Sequence, residues 1–185
     1  MKKELLEWLK AFIVALVVVL TINIFVTPTT VFSISMNPTL VEGDVLLLQK
    51  SNNFKRGDIV SFKSDLVLRA SDLEKLNPIQ KIIAKKVPNK NLIKRIIGMP
   101  GDSILIENAE VFVNGEKLEE VYIGSETIGF TFIEEIPENQ YFLMGDNRSH
   151  STDSRSPLVG TISEDKIIGK SVLRLFPISK AGTVE

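Results

Sequence analysis

An uninterrupted apolar run near the N-terminus limits how this chain can fold more than any other feature. Residues 11–26 read AFIVALVVVLTINIFV and contain no charged side chain, and residues 5–9 are also mostly apolar. A helix that spans a bilayer needs roughly 20 mostly apolar residues. The run therefore predicts a single transmembrane helix, which we assign to residues 11–28.

The charges that flank this run predict its orientation. Three lysines lie within residues 1–10, whereas the first charged residue after the run is Glu42. Positive residues stay on the cytoplasmic side of a membrane, and acidic residues count little in that rule. We therefore expect residues 1–10 in the cytoplasm and an extracytoplasmic domain at residues 29–185, in a single-pass protein of the cell membrane.

The run has two other possible interpretations. A cleaved signal peptide needs small residues just after the apolar stretch, but residues 27–30 read TPTT and offer no Ala-x-Ala pattern. A buried core helix would show a polar outer face, and nothing in the run marks one. The uncleaved anchor is the prediction that we carry forward.

Composition narrows the possible chemistry. The chain has no cysteine and a single histidine, His150. Thiolate catalysis, disulfides and zinc sites built from thiolates or several histidines are therefore excluded. Any Ser-His-Asp triad would have to use His150. The formal net charge of −1 provides no global field that attracts nucleic acid. We expect no metal, no cofactor and no nucleic-acid partner.

Beyond residue 30 the sequence predicts short strands separated by turns. Asn114-Gly115 is a strong signal for a hairpin turn. Further turns are indicated by the two Gly-Asp pairs at 43–44 and 57–58. The strand candidates are residues 45–49, 58–62, 111–113, 130–133, 141–144 and 171–176. The fold class that follows is mainly β, with one N-terminal transmembrane helix.

Residues 63–91 interrupt this pattern and predict a partly helical insertion. Residues 71–74 (SDLE) match a capping box, and Asn77-Pro78 can begin a second short helix. One interpretation is an amphipathic helix packed on the domain with a solvated basic face. The other is a helix that contacts anionic lipid beside the anchor. The basic residues concerned are Lys81, Lys85 and Lys86.

Ser33 and Ser35 are the first candidates for chemistry. They flank Ile34 in the segment SISMNPTL, and side chains two positions apart in an extended segment point the same way. One hydroxyl could attack a carbonyl while the other donates a hydrogen bond to the oxyanion. Taken alone, the pattern is equally typical of an ordinary turn that contains proline.

Lys94 is the second candidate, because a strand over residues 92–97 (LIKRII) would give it apolar neighbours. Burial disfavours the ammonium form of lysine and lowers its pKa. To act as a base near neutral pH, a lysine needs its pKa to fall by roughly 2–3 units from about 10.4. On an exposed strand, Lys94 and Arg95 would be solvated surface cations. A third, polar segment, residues 145–155 (GDNRSHSTDSR), directly follows a predicted strand.

Together these segments resemble the type I signal peptidases, the Ser/Lys peptidases of bacterial and organellar secretion. The family's motifs are matched in order by residues 35–40, 56–60, 94–102 and 145–155. One anchor resembles the short Gram-positive form. The resemblance implies a membrane-associated β-sheet domain that removes N-terminal signal peptides from secretory preproteins. Its expected partners are those preproteins, with small residues before the cleavage site, and membrane lipid.

The resemblance also implies a role for each matched residue. Ser35 would be the nucleophile, and Lys94 would take its proton and return it to the leaving amine. Ser33 would donate its hydroxyl to the oxyanion hole, beside the backbone N–H of Ser35. The supporting residues would be Ser151, which orients Lys94, and two ion pairs that hold the walls of the site, Asp153 with Arg155 and Arg95 with Asp146.

Three alternatives stay open at this point. A self-cleaving repressor of the SOS type also uses Ser and Lys, but it would carry a helix-turn-helix in place of the anchor. An inactive relative that serves as a membrane-bound assembly or pilus-biogenesis factor should lack the nucleophile or the base. A peptidase dedicated to pilins is a narrower version of the main interpretation. His150 occupies a variable position of the motif, so we interpret it as incidental.

Overall fold

The computed structural model describes residues 2–68, 74 and 89–184. In that part of the chain, α1 comprises Lys2–Phe25 and eleven strands follow it. The strands are β1 Val26–Thr30, β2 Val45–Gln49, β3 Ile59–Val67, β4 Asn89–Gly98, β5 Ile104–Glu107, β6 Glu110–Val113, β7 Glu116–Lys117, β8 Thr131–Ile133, β9 Gln140–Met144, β10 Ile162–Ser163 and β11 Ile167–Phe176. Short 3-10 helices lie at Arg148–His150, Glu164–Lys166 and Ile178–Lys180.

Helix α1 is apolar and projects away from the rest of the protein. Its segment Glu4–Phe25 has a mean hydropathy of 2.3, and none of it is buried. The interpretation as a buried core helix is therefore wrong. By length and composition, α1 is able to cross a membrane.

Helix α1 continues directly into the larger sheet. β1 begins at Val26, the residue after α1, and pairs antiparallel with β2. Lys50 closes the junction, since its backbone N–H donates to Phe25 O at 2.8 Å and its Nζ donates to Asn23 O at 2.9 Å. Carbonyls at a helix C-terminus lack intrahelical partners and attract cations. The helix thus ends at Phe25 rather than at residue 28, because the residues from 26 onward bond to β2.

The strands form two antiparallel sheets, which confirms the predicted mainly β fold. In the described residues, the larger sheet has the order β1-β2-β11-β3-β4-β9-β10 and the smaller sheet the order β7-β6-β5-β8. Asn114 and Gly115 connect β6 to β7 with φ values of 55° and 80°. Two positive φ angles are the signature of the hairpin turn that this dipeptide predicts.

Among the described residues, three apolar clusters hold the domain together, and two of them flank the candidate site. One cluster lies between the sheets and joins Ile97, Phe142 and Met144 of the larger sheet to the smaller one. Another buries Met36 and Leu40 of the segment that follows Ser35. Each buried side chain of this size contributes about 1.5–3 kcal/mol, so both flanks of the site are tied to the core.

The region 63–91 is only partly described. β3 extends to Val67 and β4 begins at Asn89, and these two residues are paired. Residues 63–67 and 89–91 are therefore the arms of an antiparallel ribbon. Apart from Glu74, the two helices predicted between them lie outside the described residues, as do Lys81, Lys85 and Lys86.

Candidate active site

Lys94 is buried in the middle of the larger sheet. It lies opposite Val60 of β3, and the next residue, Arg95, lies opposite Met144 of β9. Because β9 ends at Met144, the chain leaves the sheet beside Lys94 and brings residues 145–155 to it. The Lys94 residue is only 2% exposed, as its apolar neighbours in the sequence predict.

Burial changes the acidity of this amine. Desolvation lowers the pKa of Lys94 from 10.5 to about 8, although the carboxylates of Asp153 and Asp146 act in the opposite direction. The guanidinium of Arg155 adds a smaller lowering effect. A lysine with this pKa is neutral in a useful fraction of molecules near neutral pH.

The Ser35 hydroxyl is in direct contact with the Lys94 amine. Lys94 Nζ lies 2.6 Å from Ser35 Oγ and donates a second hydrogen bond, of 3.1 Å, to Ile93 O. Ser35 is 7% exposed. When Lys94 is neutral, its nitrogen lone pair can accept the proton of the Ser35 hydroxyl over the same distance. The two residues are far apart in sequence, and the sheet brings them together.

Ser33 is near Ser35 for a different reason from the one expected. The segment is not extended, since Asn37 N donates to Ile34 O at 3.0 Å and Leu40 N donates to Met36 O at 2.8 Å. These bonds form tight turns. The exposed Ser33 hydroxyl nevertheless lies 3.2 Å from Ser35 Oγ. Both hydroxyls can therefore face one carbonyl group.

The 145–155 loop packs closely on the backbone of Ile34 and Ser35. Asn147 N donates to Ser35 O at 3.0 Å, and Asn147 Nδ2 donates to Ile34 O at 3.1 Å. A Cβ on Gly145 would lie 2.4 Å from Ser35 O and 2.3 Å from Ser151 Oγ. Only glycine fits such an approach.

Ser151 does not make the expected contact with Lys94. Its hydroxyl is buried and has no hydrogen-bond partner among the described residues. The Ser151 hydroxyl is one of the groups that lower the pKa of Asp153. The two side chains nevertheless do not have the geometry of a hydrogen bond. The orienting role of Ser151 stays a prediction.

The ion pair expected between Arg95 and Asp146 is present and almost completely buried. Arg95 donates from Nε and Nη2 to the two carboxylate oxygens at 2.9 and 2.8 Å. Its Nη1 donates to Gly57 O at 2.8 Å, and its guanidinium lies 3.9 Å from the centre of the Tyr122 ring. Such bidentate geometry is the strong form of this interaction.

The second expected ion pair, between Asp153 and Arg155, is also present. Arg155 donates from Nε and Nη2 to Asp153 at 2.8 Å each. Burial pushes the pKa of Asp153 upward, but the hydrogen bonds and charge of Arg155, with the Gly145 N–H, outweigh burial and hold it below its ordinary value. Asp153 is therefore ionised within the 145–155 loop.

Several residues that hold the site were missed by sequence reasoning. Thr39 Oγ1 donates to Asp146 at 2.5 Å, and Arg174 Nη2 donates to Thr39 O at 2.7 Å. Arg148 is completely buried and pairs with Glu120. Thr39 and Arg148 lie inside matched motifs, which was a usable signal. Nothing local marks Glu120 or Arg174, because their partners are distant in sequence.

His150 takes no part in these contacts. Its ring is exposed, and Nδ1 lies 2.9 Å from Ser149 Oγ. Within residues 2–68, 74 and 89–184, no three acidic or histidine side chains come together as ligands for a metal ion.

Comparison with known proteins gives consistent matches over most of the chain. The sequence profile described as "Signal peptidase, peptidase S26" matches residues 5–176. Signal peptidase I of Bacillus licheniformis is 34% identical, with 97% of this chain and 92% of that protein aligned. Signal peptidase IB of Staphylococcus aureus is 32% identical, with 97% and 94% aligned. A solved signal peptidase I from Enterococcus faecalis V583 is 23% identical, with a TM-score of 0.46, over 64% of this chain and 96% of that one.

Proposed function

The chain belongs to the signal peptidase I family of serine endopeptidases, peptidase S26, and from that membership we propose that it removes signal peptides from secretory preproteins with a Ser35–Lys94 dyad. The observation that carries the proposal is the 2.6 Å contact between Ser35 Oγ and Lys94 Nζ in a site sheltered from water. A serine hydroxyl is a weak nucleophile until a base removes its proton. Lys94 is the base at hand.

The proposed reaction has two stages. In the first, neutral Lys94 takes the Ser35 proton while Oγ attacks the scissile carbonyl carbon, and the resulting ammonium then protonates the leaving amine. This releases the mature protein and leaves the signal peptide as an ester on Ser35. In the second stage, Lys94 takes a proton from a water molecule that attacks the ester, and returns it to Ser35 Oγ.

The oxyanion that forms in each stage needs hydrogen-bond donors. We assign this role to the Ser33 hydroxyl, 3.2 Å from Ser35 Oγ, and to the backbone N–H of Ser35. One such donor is worth about 3–4 kcal/mol in other hydrolases. The exposed position of Ser33 supports the assignment, because a substrate carbonyl can reach it from solvent.

The supporting residues keep the two reacting groups together. The Arg95–Asp146 and Asp153–Arg155 pairs hold both ends of the 145–155 loop, which bonds to the Ser35 backbone through Asn147. In our proposal, Ser151 rotates its unpartnered hydroxyl toward Lys94 when substrate binds. This would keep the amine pointed at Ser35.

The anchor explains how the enzyme would meet its substrate. We propose that residues 1–10 are cytoplasmic, that α1 spans the membrane and that the domain from residue 29 is extracytoplasmic. The nine residues that follow Val26, up to and including Ser35, reach at most about 30 Å. Ser35 would thus lie near the outer face of the bilayer, where the apolar segment of a preprotein ends. The partners are then preproteins with small residues before the cleavage site and membrane lipid, without nucleic acid.

The test is cleavage of a secretory preprotein by the full-length protein in detergent. We expect the wild type to release the mature chain, and both Ser35→Ala and Lys94→Ala to lose at least about 10³-fold in rate. His150→Asn is the matched control, because its ring contacts neither residue. Loss of activity in this control comparable to that of Ser35→Ala would replace the dyad with a triad. An inert wild type would favour a membrane-bound assembly factor.

The orientation has its own test. A tag at residue 185 should be digested by protease added outside intact cells, whereas a tag at residue 1 should be protected. The opposite pattern would overturn the proposed topology without affecting the dyad.

A further inference from the structure

The connection between β7 and β8 does not stay with the smaller sheet. This bridging segment, residues 118–130, has no regular helix or strand. It leaves β7 and crosses to the 145–155 loop and to the turn after Ser35 before it returns as β8. A long irregular connection that covers an active site is commonly functional.

One buried arginine fixes the two ends of the part that crosses. Arg148 is completely buried, and its guanidinium binds the Glu120 carboxylate with two nitrogens. The same guanidinium donates to Thr127 Oγ1 at 2.8 Å, and Nε donates to Gly145 O at 3.0 Å. The contacts with Thr127 and Gly145 are buried, and those with Glu120 are partly buried. Residues 121–126 are thereby held as a short loop over the site.

This loop contacts the supporting residues of the site. The Tyr122 ring lies against the Arg95 guanidinium, and its hydroxyl donates to Glu120 at 2.8 Å. Ser125 Oγ donates to Asn147 Oδ1 at 3.2 Å and accepts from Ser149 N at 3.1 Å. Asn147 is the residue that bonds to the backbone of Ser35. Ser125 is therefore one hydrogen-bonded residue away from the nucleophile.

The loop also contacts the nucleophile turn itself. Gly124 N donates to Asp146 O at 3.1 Å. A Cβ at Gly124 would lie 2.7 Å from Pro38 Cδ and 2.9 Å from Asn37 O. The second of these is backbone, which cannot swing aside as a flexible side chain can. The backbone of Gly124 thus rests on the turn that begins at Ser35.

We propose that residues 121–126 are a positioning element that holds the Ser35 turn at the distance from Lys94 that proton transfer requires. Gly124 and Ser125 are its positioning residues, acting through Pro38 and Asn147. Neither bonds to Ser35 Oγ or Lys94 Nζ among the described contacts. The inference rests on the proposed Ser35–Lys94 dyad, and it adds to that dyad a segment outside every matched motif.

Gly124→Ala is the sharpest test, because it adds one methyl group that pushes on the turn without opening the core. We expect kcat to fall by roughly 10–100-fold, as for a nucleophile displaced by up to about 1 Å. KM should change less than about threefold, and the alkaline midpoint of the pH–kcat profile should stay in place, because Lys94 remains buried. Ile178→Ala is the control, since Ile178 is 83% exposed and lies outside both residues 121–126 and the 145–155 loop. It should keep wild-type kcat.

Ser125 supplies a second and independent variant. Ser125→Ala removes the hydroxyl that joins Asn147 to Ser149, and kcat should fall about 3–10-fold. Ser125→Thr keeps a hydroxyl and should restore most of the rate. Thermal unfolding of each variant, followed by circular dichroism, verifies that the protein is folded at the assay temperature.

The outcomes separate this inference from the proposed function. If the wild type cleaves preprotein and Ser35→Ala does not, the dyad stands. Folded Gly124→Ala and Ser125→Ala with wild-type kcat would then overturn the positioning role alone. A change in KM without a change in kcat would likewise contradict the positioning role. Failure of wild-type cleavage would instead overturn the dyad.

Discussion

Lys94 and Arg95 are neighbours on one strand, carry the same formal charge and are each 2% exposed, yet their surroundings are opposite. Arg95 is bound by both oxygens of Asp146, by the Gly57 carbonyl and by the face of Tyr122. Lys94 bonds only to the Ser35 hydroxyl and the Ile93 carbonyl among the described residues. One buried cation is fully neutralised, and the other is not.

The difference teaches how one strand can support both structure and chemistry. A buried charge without a carboxylate partner favours its neutral form, which lowers the pKa of a lysine. A bidentate carboxylate stabilises the charged form instead, and arginine keeps its proton in any protein environment. Successive side chains on a strand face opposite ways, so the two environments can be built one residue apart.

Replacing Lys94 by a residue that cannot act as a base should have the largest effect on cleavage. Lys94→Arg keeps the positive charge but removes the ability to lose a proton, so we expect cleavage to fall by at least about 10³-fold. Arg95→Lys, at the neighbouring position, should fold less stably but keep a functional dyad. Initial rates of preprotein cleavage, compared at equal folded concentration, measure both. Appreciable activity in Lys94→Arg would exclude Lys94 as the base.

Removing the carboxylate partner of Arg95 should have its main effect on stability. Asp146→Asn leaves the Arg95 charge buried without its carboxylate, and we expect the free energy of unfolding to fall by about 3–5 kcal/mol. Urea denaturation of wild type and variant gives the difference. Asp65→Asn is a suitable control, because its ion pair with Lys166 is exposed and should be worth less than about 1 kcal/mol. Equal losses in the two variants would contradict the contrast.

Replacing Lys94 by an apolar residue should abolish activity but increase the stability of the fold. The folded pKa of about 8 lies below the ordinary 10.5, so the unfolded chain binds this proton more tightly and stability rises with pH between these values. Below about pH 8 the buried Lys94 ammonium lowers the free energy of unfolding by the full amount, about 3 kcal/mol. Lys94→Met should therefore be inactive but more stable than wild type at pH 7, by up to that amount. The gain should vanish above about pH 10.5, and a loss at pH 7 would refute the argument.

The last effect concerns the pH dependence of the wild type. If neutral Lys94 is the base, kcat/KM should rise about tenfold per pH unit below the pKa of the free enzyme and level off above about 8. Initial rates between pH 5.5 and 9.5 would show it. A profile that is flat across this range would mean that no lysine titrates in the rate-limiting step.

Sequence patterns predicted the fold well wherever the signal was local. Alternation and turn residues found β2, β9 and the turn at Asn114-Gly115. They missed β1, because Val26–Thr30 follows the apolar run without a break and contains Pro28. Only its pairing with β2 identifies it as a strand. The helices expected within 63–91 remain predictions.

The candidate site was predicted in its members but not in its geometry. The proximity of Ser33 and Ser35 was expected from an extended segment, yet it arises from tight turns. Ser151 was expected on Lys94, and its hydroxyl is unpartnered in the described residues. Contacts of this kind depend on how a loop returns to a strand, which no local pattern encodes.

The amino-acid sequence by itself determined the residue types available for catalysis and a helix able to span a membrane, because composition, hydropathy and motif order are properties of the chain alone. The tertiary structure decided which of two adjacent cations is left without a carboxylate, and that residues 121–126 rest on the Ser35 turn. The physical reason is that desolvation and contact depend on neighbours distant in sequence. Glu120, Arg148 and Gly124 become neighbours of the site only when the two sheets fold together.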